Sequence, residues 1–182
     1  MKRRLLSLAI ILIGFNVSGC AFWPKYLETP EGSKYHLCTD LPIFYVLKNV
    51  NPVNVNAVID AADYWNVVLG RHVFDYRGVD NSAIPRYDLL VIEETNLKDA
   101  CGQAYHNPWS NGCPTSLNVK LDYFCAKSPG LTETLVRHEL GHILGLADSD
   151  NPFHLMNGDI HSHDQHPWDA RSDEIEKLKE FY

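Results

Sequence analysis

The chain of 182 residues lacks several features that would assign it to a common class of protein. It contains no CxxC pair, so a zinc site built from cysteines is not expected. It has no basic patch, and its 16 basic side chains are outnumbered by 23 acidic ones, so a nucleic-acid partner is not expected either. Internal repeats are absent. No apolar run reaches the about 20 residues that a transmembrane helix needs.

The apolar run at positions 5–17 instead predicts a signal peptide at residues 1–19, because three basic residues precede it. It leads into Val17-Ser18-Gly19-Cys20, which resembles the lipobox of bacterial lipoproteins. The resemblance implies cleavage before Cys20 and a lipid (palmitate) on that residue. An ordinary signal peptide with an incidental Cys20 is the alternative. No aspartate follows Cys20, so the resemblance to lipoproteins of Gram-negative bacteria implies a cell-envelope location at the outer membrane, facing the periplasm or the exterior.

The mature chain would begin at Cys20 and have 163 residues, with 13 basic and 23 acidic side chains and a net charge of -10. Residues 20–36 are rich in Pro, Glu, Lys and Gly, so they are expected to form the lipidated N-terminus and a tether. Residues 37–182 have the length of one ordinary domain. A single folded domain is therefore predicted.

Four cysteines remain once Cys20 is assigned to lipid: Cys38, Cys101, Cys113 and Cys125. An even number in an exported chain predicts disulfide bonds. Two bridges in any of three pairings are compatible with the sequence. The closeness of Cys101 and Cys113 along the chain suggests that these two close one loop.

The apolar pattern predicts an α+β fold with a mixed twisted sheet. Apolar residues at three- and four-residue intervals indicate a helix from about Asn54 to Leu69, followed by Gly70 as its C-cap. Strands are expected at Leu41–Leu47, Tyr87–Glu93, Gly102–His106 and Leu117–Tyr123. The order of a strand, a helix, several strands and two further helices is typical of a mixed α+β domain.

The most informative segment is HELGHILGLAD, from His138 to Asp148. A helix beginning near Thr132 would place His138 and His142 on one face, one turn apart, where both imidazoles can bind the same metal ion. Glu139 would then be close enough to reach a metal-bound water without being a ligand. This pattern predicts a zinc site with Glu139 as general base.

Two histidines leave zinc short of the three protein ligands that catalytic sites use. Gly145 can adopt the left-handed conformation that ends a helix, which would turn the chain and bring Asp148 back toward the histidines. Asp148 is therefore the predicted third ligand. Asp150 or His154 would replace it if the turn had a different shape.

With these residues the chain resembles the metzincin clan of zinc endopeptidases, and HELGHILGL is most similar to its matrixin branch. The clan places a methionine turn beneath the metal, and Met156 fits that position. A closing helix with Ser172 as N-cap would complete the domain. The resemblance implies a single metzincin-like catalytic domain with an N-terminal helix, an active-site helix, a Met-turn and a C-terminal helix.

The resemblance also implies an activity: zinc-dependent hydrolysis of peptides or proteins by a monomer holding one Zn²⁺ ion. Zinc would lower the pKa of its water, and Glu139 would take the proton and return it to the leaving amine. The strand near Gly102 to Tyr105 would hold the substrate backbone. The chain departs from the family in having Asp148 where most matrixins have histidine, in lacking a PRCG-type segment, and in having no tyrosine after Met156.

Two other functions compete with the peptidase hypothesis. One is a non-catalytic envelope lipoprotein that keeps this fold to bind a protein partner, although such a protein would not need Glu139. The other is a metal-binding lipoprotein that uses a cluster after the Met-turn, for which a solvated polar loop is the simpler interpretation. The residues of that cluster are Asp159, His161, His163, Asp164 and His166.

Overall fold

A computed structural model describes residue 37, residues 42–107, residue 114, residues 116–159 and residues 167–182. The predicted signal peptide and tether, Cys20, Cys38, Cys113, Leu41 and the histidines at positions 161, 163 and 166 lie outside these ranges. Within the described ranges, no helix combines the length and apolar character needed to cross a membrane.

The described chain forms five strands and three α-helices. The strands are β1 (Ile43–Lys48), β2 (Phe74–Val79), β3 (Leu89–Thr95), β4 (Gly102–Asn107) and β5 (Ser116–Asp122). The helices are α1 (Val55–Leu69), α2 (Pro129–Leu144) and α3 (Ser172–Leu178), and a short 3-10 turn at Pro52–Asn54 precedes α1. This is the predicted α+β class.

The strands form one sheet in the order β2-β1-β3-β5-β4. Neighbouring strands are parallel except β4, which runs antiparallel to β5 at one edge of the sheet. Alternate residues of β1, β3 and β5 point to one face of this sheet, where they form the main core with α1 and α2. A smaller cluster around Val46 and Val91 covers part of the other face. The core therefore holds α2 rigidly beside the β4 edge.

The first helix matches its prediction closely. It ends at Leu69, and Gly70 caps it in the left-handed conformation with φ 66°. Trp65 of this helix is fully buried, and its indole Nε1–H donates to the Arg137 carbonyl of α2 at 2.9 Å. This contact joins α1 to α2 at the residue that directly precedes His138.

Two predictions about element ends were wrong. Helix α2 begins at Pro129, with the Ser128 hydroxyl accepting from the Leu131 N–H, whereas Thr132 is fully buried inside the helix. Proline suits this first position because its missing N–H would have no intrahelical partner there. Helix α3 has Arg171 as its N-cap, so Ser172 is its first helical residue.

Strand β2 was not predicted at all. It lies at the other edge of the sheet, and only its first residue, Phe74, is buried. Partly exposed Asp75, exposed Arg77 and a glycine at position 78 give this segment no clear apolar alternation. An edge strand of this kind has no strong sequence signal, because most of its side chains face solvent.

Candidate metal centre

Helix α2 brings His138 and His142 together on one face. Its opposite, apolar side is buried through Val136, Leu140, Ile143 and Leu144. The two imidazoles meet with their Nε2 atoms 3.0 Å apart.

The hydrogen bonds of the two rings determine which nitrogen can bind a metal. His138 Nδ1 lies 2.9 Å from the Leu155 carbonyl, and His142 Nδ1 lies 2.8 Å from the Leu146 carbonyl. Because a carbonyl only accepts, each neutral ring must carry its proton on Nδ1. Both Nε2 lone pairs then point at the same position, an arrangement that is favourable when a cation lies between them.

Asp148 completes the group. Gly145 ends α2 with φ 111°, in the left-handed region as predicted, and the chain turns back there. One carboxylate oxygen of Asp148, Oδ1, lies 3.4 Å from the Nε2 atoms of both His138 and His142. The three ligand atoms lie within 4.8 Å of one another, so the group can bind a metal ion.

The two alternative third ligands do not join this group. His154 is buried and contacts Ser149 and Asp173, and Asp150 is an exposed residue outside the metal-capable group found among the described residues. The turn at Gly145 therefore selects Asp148 from the three carboxylate and imidazole candidates that follow it.

In their charged forms, the imidazoles and the Asp148 carboxylate stabilise one another. Burial alone would lower the pKa of His142, but the Asp148 carboxylate and the nearby Glu139 outweigh it and raise that pKa. Burial tends to raise the pKa of Asp148, yet His138 and His142 hold it well below its usual range. Asp148 is thus ionised and ready to offset part of a cation's charge.

Glu139 lies beside these ligands and is almost completely buried. Burial raises the pKa of its carboxyl group, and the adjacent His138 and His142 only partly oppose this shift. Its carboxylate also accepts a hydrogen bond from the backbone of Ala104 in β4. A carboxylate with a raised pKa is a stronger base than one in water, which suits proton transfer.

An open cleft of about 490 Å³ lies over the group. Residues 99–105, leading into and along β4, form one wall, and the metal-capable residues with Glu139 form the other. Glycine at position 102 lets β4 approach closely, since a Cβ there would lie only 2.8 Å from Glu139 Cδ. The cleft thus places a sheet edge directly beside a buried carboxylate.

A disulfide bond between Cys101 and Cys125 fastens the start of β4 beside this cleft. The expectation that Cys101 pairs with Cys113 was wrong. The antiparallel register places Gly102 opposite Leu121, so the end of β5 and Cys125 just beyond it return to the start of β4. Strand pairing, and not closeness along the chain, determines this bond.

Met156, the predicted Met-turn residue, is fully buried and lies against α2. A Cβ at Gly141, between the two histidines, would overlap the Met156 Sδ and lie 3.1 Å from its Cε. The methionine therefore packs directly against the histidine-bearing turn of the helix.

Sequence reasoning missed the role of Glu174. This residue of α3 is fully buried, and its carboxylate accepts from the backbone N–H groups of Met156 at 2.9 Å and Leu155 at 3.2 Å. The carbonyl of Leu155 in turn accepts from His138. A glutamate in the first turn of a predicted helix was a signal for a cap, but nothing in the sequence indicated that it would reach this loop.

No protein-family model and no curated protein matches the chain. Among solved structures, it is similar to a chain in a structure described as "Structure of a chaperone-substrate complex", with 14% sequence identity and a TM-score of 0.41. The similarity covers 86% of this chain, which spans only 36% of the other. A similarity this weak indicates nothing about activity.

Proposed function

We propose that the protein is a zinc-dependent endopeptidase of the metzincin type, anchored in the bacterial cell envelope by a lipid on Cys20. The observation that carries the proposal is the buried carboxylate of Glu139 beside the His138–His142–Asp148 group, within an open cleft. A pure binding protein would have no need of a buried base at that position.

The donor set fits zinc. Two imidazole nitrogens and one carboxylate oxygen are the ligands of many catalytic zinc sites, which leave a fourth position open. When bound, Zn²⁺ supplies a Lewis acid that lowers the pKa of water toward about 7 and polarises a carbonyl oxygen.

The chain's own residues provide the proton transfers. Glu139 accepts a proton from the attacking water while the water oxygen adds to the scissile carbonyl carbon. As the C–N bond breaks, Glu139 donates that proton to the leaving amine. Burial of the Glu139 carboxylate strengthens these interactions because bulk water is excluded from it.

The free edge of β4 supports a peptide as substrate. Strand β4 pairs with β5 on one side, and no other strand of the described chain pairs with it. Its residues 102–105 line the cleft, so an extended peptide can add to this edge with its backbone hydrogen bonds satisfied. A peptide held there would pass beside Glu139.

The test compares zinc content and cleavage of a peptide library for the mature protein and two variants. We expect the wild-type protein to hold one zinc and to cut peptides. Glu139→Ala should keep the zinc and lose about 10²- to 10⁴-fold in rate, the usual contribution of a general base. Asp148→Ala should lose most of the zinc, because only the two histidines would remain as ligands.

Asp150→Asn is the matched control, since it removes an exposed negative charge two residues from Asp148 and should change neither property. Zinc in both the wild-type protein and Glu139→Ala, with no cleavage by either, would contradict the peptidase and favour a binding protein. Unchanged zinc content in Asp148→Ala would contradict the ligand assignment.

A further inference from the structure

Asp148, the third member of the metal-capable group, lacks contacts of the kind that hold the two histidines within the described part of the chain. The imidazoles of His138 and His142 each hold a backbone carbonyl through Nδ1 and are largely buried. The side chain of Asp148 is 68% exposed, and within the described ranges the only side chains paired with its carboxylate are those two histidines. The backbone at Asp148 must therefore keep the carboxylate in place.

The next residue, Ser149, is held at all of its polar atoms. It is 4% exposed. Its N–H donates to the Met156 carbonyl at 2.7 Å, and its carbonyl accepts from the side chain of Asn157 at 3.1 Å. Its hydroxyl oxygen accepts from the Asn151 N–H at 3.2 Å and lies 2.8 Å from His154 Nδ1. A serine held in this way fixes the direction in which the preceding residue points.

The contacts continue from Ser149 into α3. His154 is 3% exposed, and its Nε2 lies 3.2 Å from Oδ2 of Asp173 in the first turn of that helix. The carboxylate only accepts, so in the neutral ring Nε2 carries the proton and Nδ1 accepts from the Ser149 hydroxyl. Donors and acceptors then match at every link from the Asn151 N–H to the Asp173 carboxylate.

We propose that Ser149, His154 and Asp173 form a hydrogen-bonded chain that positions Asp148 as the third metal ligand. They are positioning residues, because none of them belongs to the metal-capable group. The hydrogen-bonded chain anchors residues 149–154, which follow α2, to the first turn of α3. It thereby holds the one exposed ligand without touching its carboxylate. The metal-binding part of this inference rests on the proposed function.

The expected loss of zinc affinity is comparable to that caused by removing an outer-shell partner from other metal sites. Removing such a partner typically weakens metal binding by about 10- to 100-fold. A role confined to folding would instead weaken binding to the same extent whether or not Asp148 is present, because independent effects add. The two roles can therefore be separated by a double-mutant cycle.

The experiment measures the zinc dissociation constant of Ser149→Ala and Asp173→Ala, each alone and combined with Asp148→Ala. We expect each single variant to raise the dissociation constant about tenfold, and to change it less than about twofold once Asp148 is absent. Glu176→Ala is the matched control for Asp173→Ala, because it removes an exposed carboxylate from the same helix. Losses that are equal in both backgrounds would overturn the proposal.

A second measurement does not depend on zinc. In the metal-free protein, the backbone NMR order parameter of the Asp148 amide should fall from about 0.85 to below about 0.6 in Ser149→Ala and Asp173→Ala. An unchanged order parameter in both variants would overturn the proposal even if their metal affinity fell. A wild-type protein that binds no zinc would contradict the proposed function, and the order parameter would still decide whether these residues position Asp148.

Discussion

At the residue scale, the site depends on two glycines whose missing side chains make room for other groups. Gly141 admits the buried Met156 against α2, and Gly102 admits the Glu139 side chain against β4. Neither has the left-handed backbone conformation that requires glycine. Space, and not backbone conformation, explains glycine at both positions.

Gly102→Ala should therefore impair catalysis more than metal binding. The new Cβ would overlap Glu139 Oε1 and lie 2.9 Å from Cγ, so the buried side chain must move as a whole. A displacement of about 1 Å at a reacting group can cost about 10²-fold in rate. We expect kcat/KM to fall by about this factor while zinc content is unchanged.

Gly158→Ala is the control for this substitution. It also lies beside the cleft, but the nearest atom to its Cβ would be 3.9 Å away, an ordinary contact. It should leave kcat/KM near the wild-type value. Equal rates for the Gly102 and Gly158 variants would show that Glu139 is not held where the structure places it.

At the element scale, α3 supports the centre although it contributes no ligand to it. This seven-residue helix is too short to be stable alone and depends on its contacts with the rest of the domain. Glu174 in its first turn reaches the loop that carries Leu155 and Met156, and Arg171 at its start donates its N–H to the same carboxylate at 2.7 Å. One carboxylate thus joins the helix and the loop.

Glu174→Gln should destabilise the fold. The amide nitrogen cannot accept a hydrogen bond, so at least one buried N–H would lose its partner, at a cost of about 2 kcal/mol in the free energy of unfolding. Urea denaturation of the metal-free protein measures this change. Glu176→Gln, on the exposed side of the same helix, should stay within about 0.5 kcal/mol of the wild type. A Glu174→Gln protein as stable as this control would contradict the assigned contacts.

At the scale of the whole molecule, partly buried tyrosines join distant parts of the chain through their hydroxyl groups. The Tyr182 hydroxyl accepts from the Leu37 N–H at 2.9 Å and donates to the Leu144 carbonyl at 3.2 Å, so it joins Leu37 to the end of α2. The Tyr64 hydroxyl accepts from the Ala170 N–H at 2.6 Å. Burial raises the pKa of Tyr182, raises that of Tyr64 to about 12, and raises that of Tyr45.

These shifts predict a loss of stability in alkaline solution. An unfolded tyrosine has a pKa of about 10, so above that pH the unfolded chain loses protons that the folded chain retains. The contribution of the protonated tyrosines to the free energy of unfolding is fully present below pH 10. It is lost as the pH rises toward the pKa values that the tyrosines have in the folded protein. Each tyrosine should contribute about 1.4 kcal/mol per pH unit in that window, measured as the free energy of unfolding in urea.

Tyr45→Phe tests this prediction without removing a known contact, because the buried Tyr45 hydroxyl has no hydrogen-bond partner among the described residues. The variant should be at least as stable as the wild type at pH 7, since an unsatisfied hydroxyl is costly to bury. Above pH 10, its free energy of unfolding should fall less steeply with pH than that of the wild type, and the difference should equal the contribution of one tyrosine. Identical slopes for the two proteins would contradict the burial of Tyr45.

The parts of the molecule that sequence reasoning predicted are those with a local cause. The apolar spacing of α1, the buried run of β3 and the turn at Gly145 each arise within one segment, and each is present. The pairing of Cys101, the edge strand β2 and the role of Glu174 were not predicted. Each of these depends on which distant segments the sheet and helices bring together.

The sequence by itself determined the α+β class, the helix that carries His138, Glu139 and His142, and the grouping with Asp148. Helical spacing and one left-handed glycine are sufficient for these, because they act over a few residues. Only the tertiary structure decided that β4 lies against Glu139, that Cys101 bonds to Cys125, and that Asp173 reaches Ser149 through His154. These contacts join residues far apart in the chain, and their partners are selected by strand register and core packing, which no short stretch of sequence encodes.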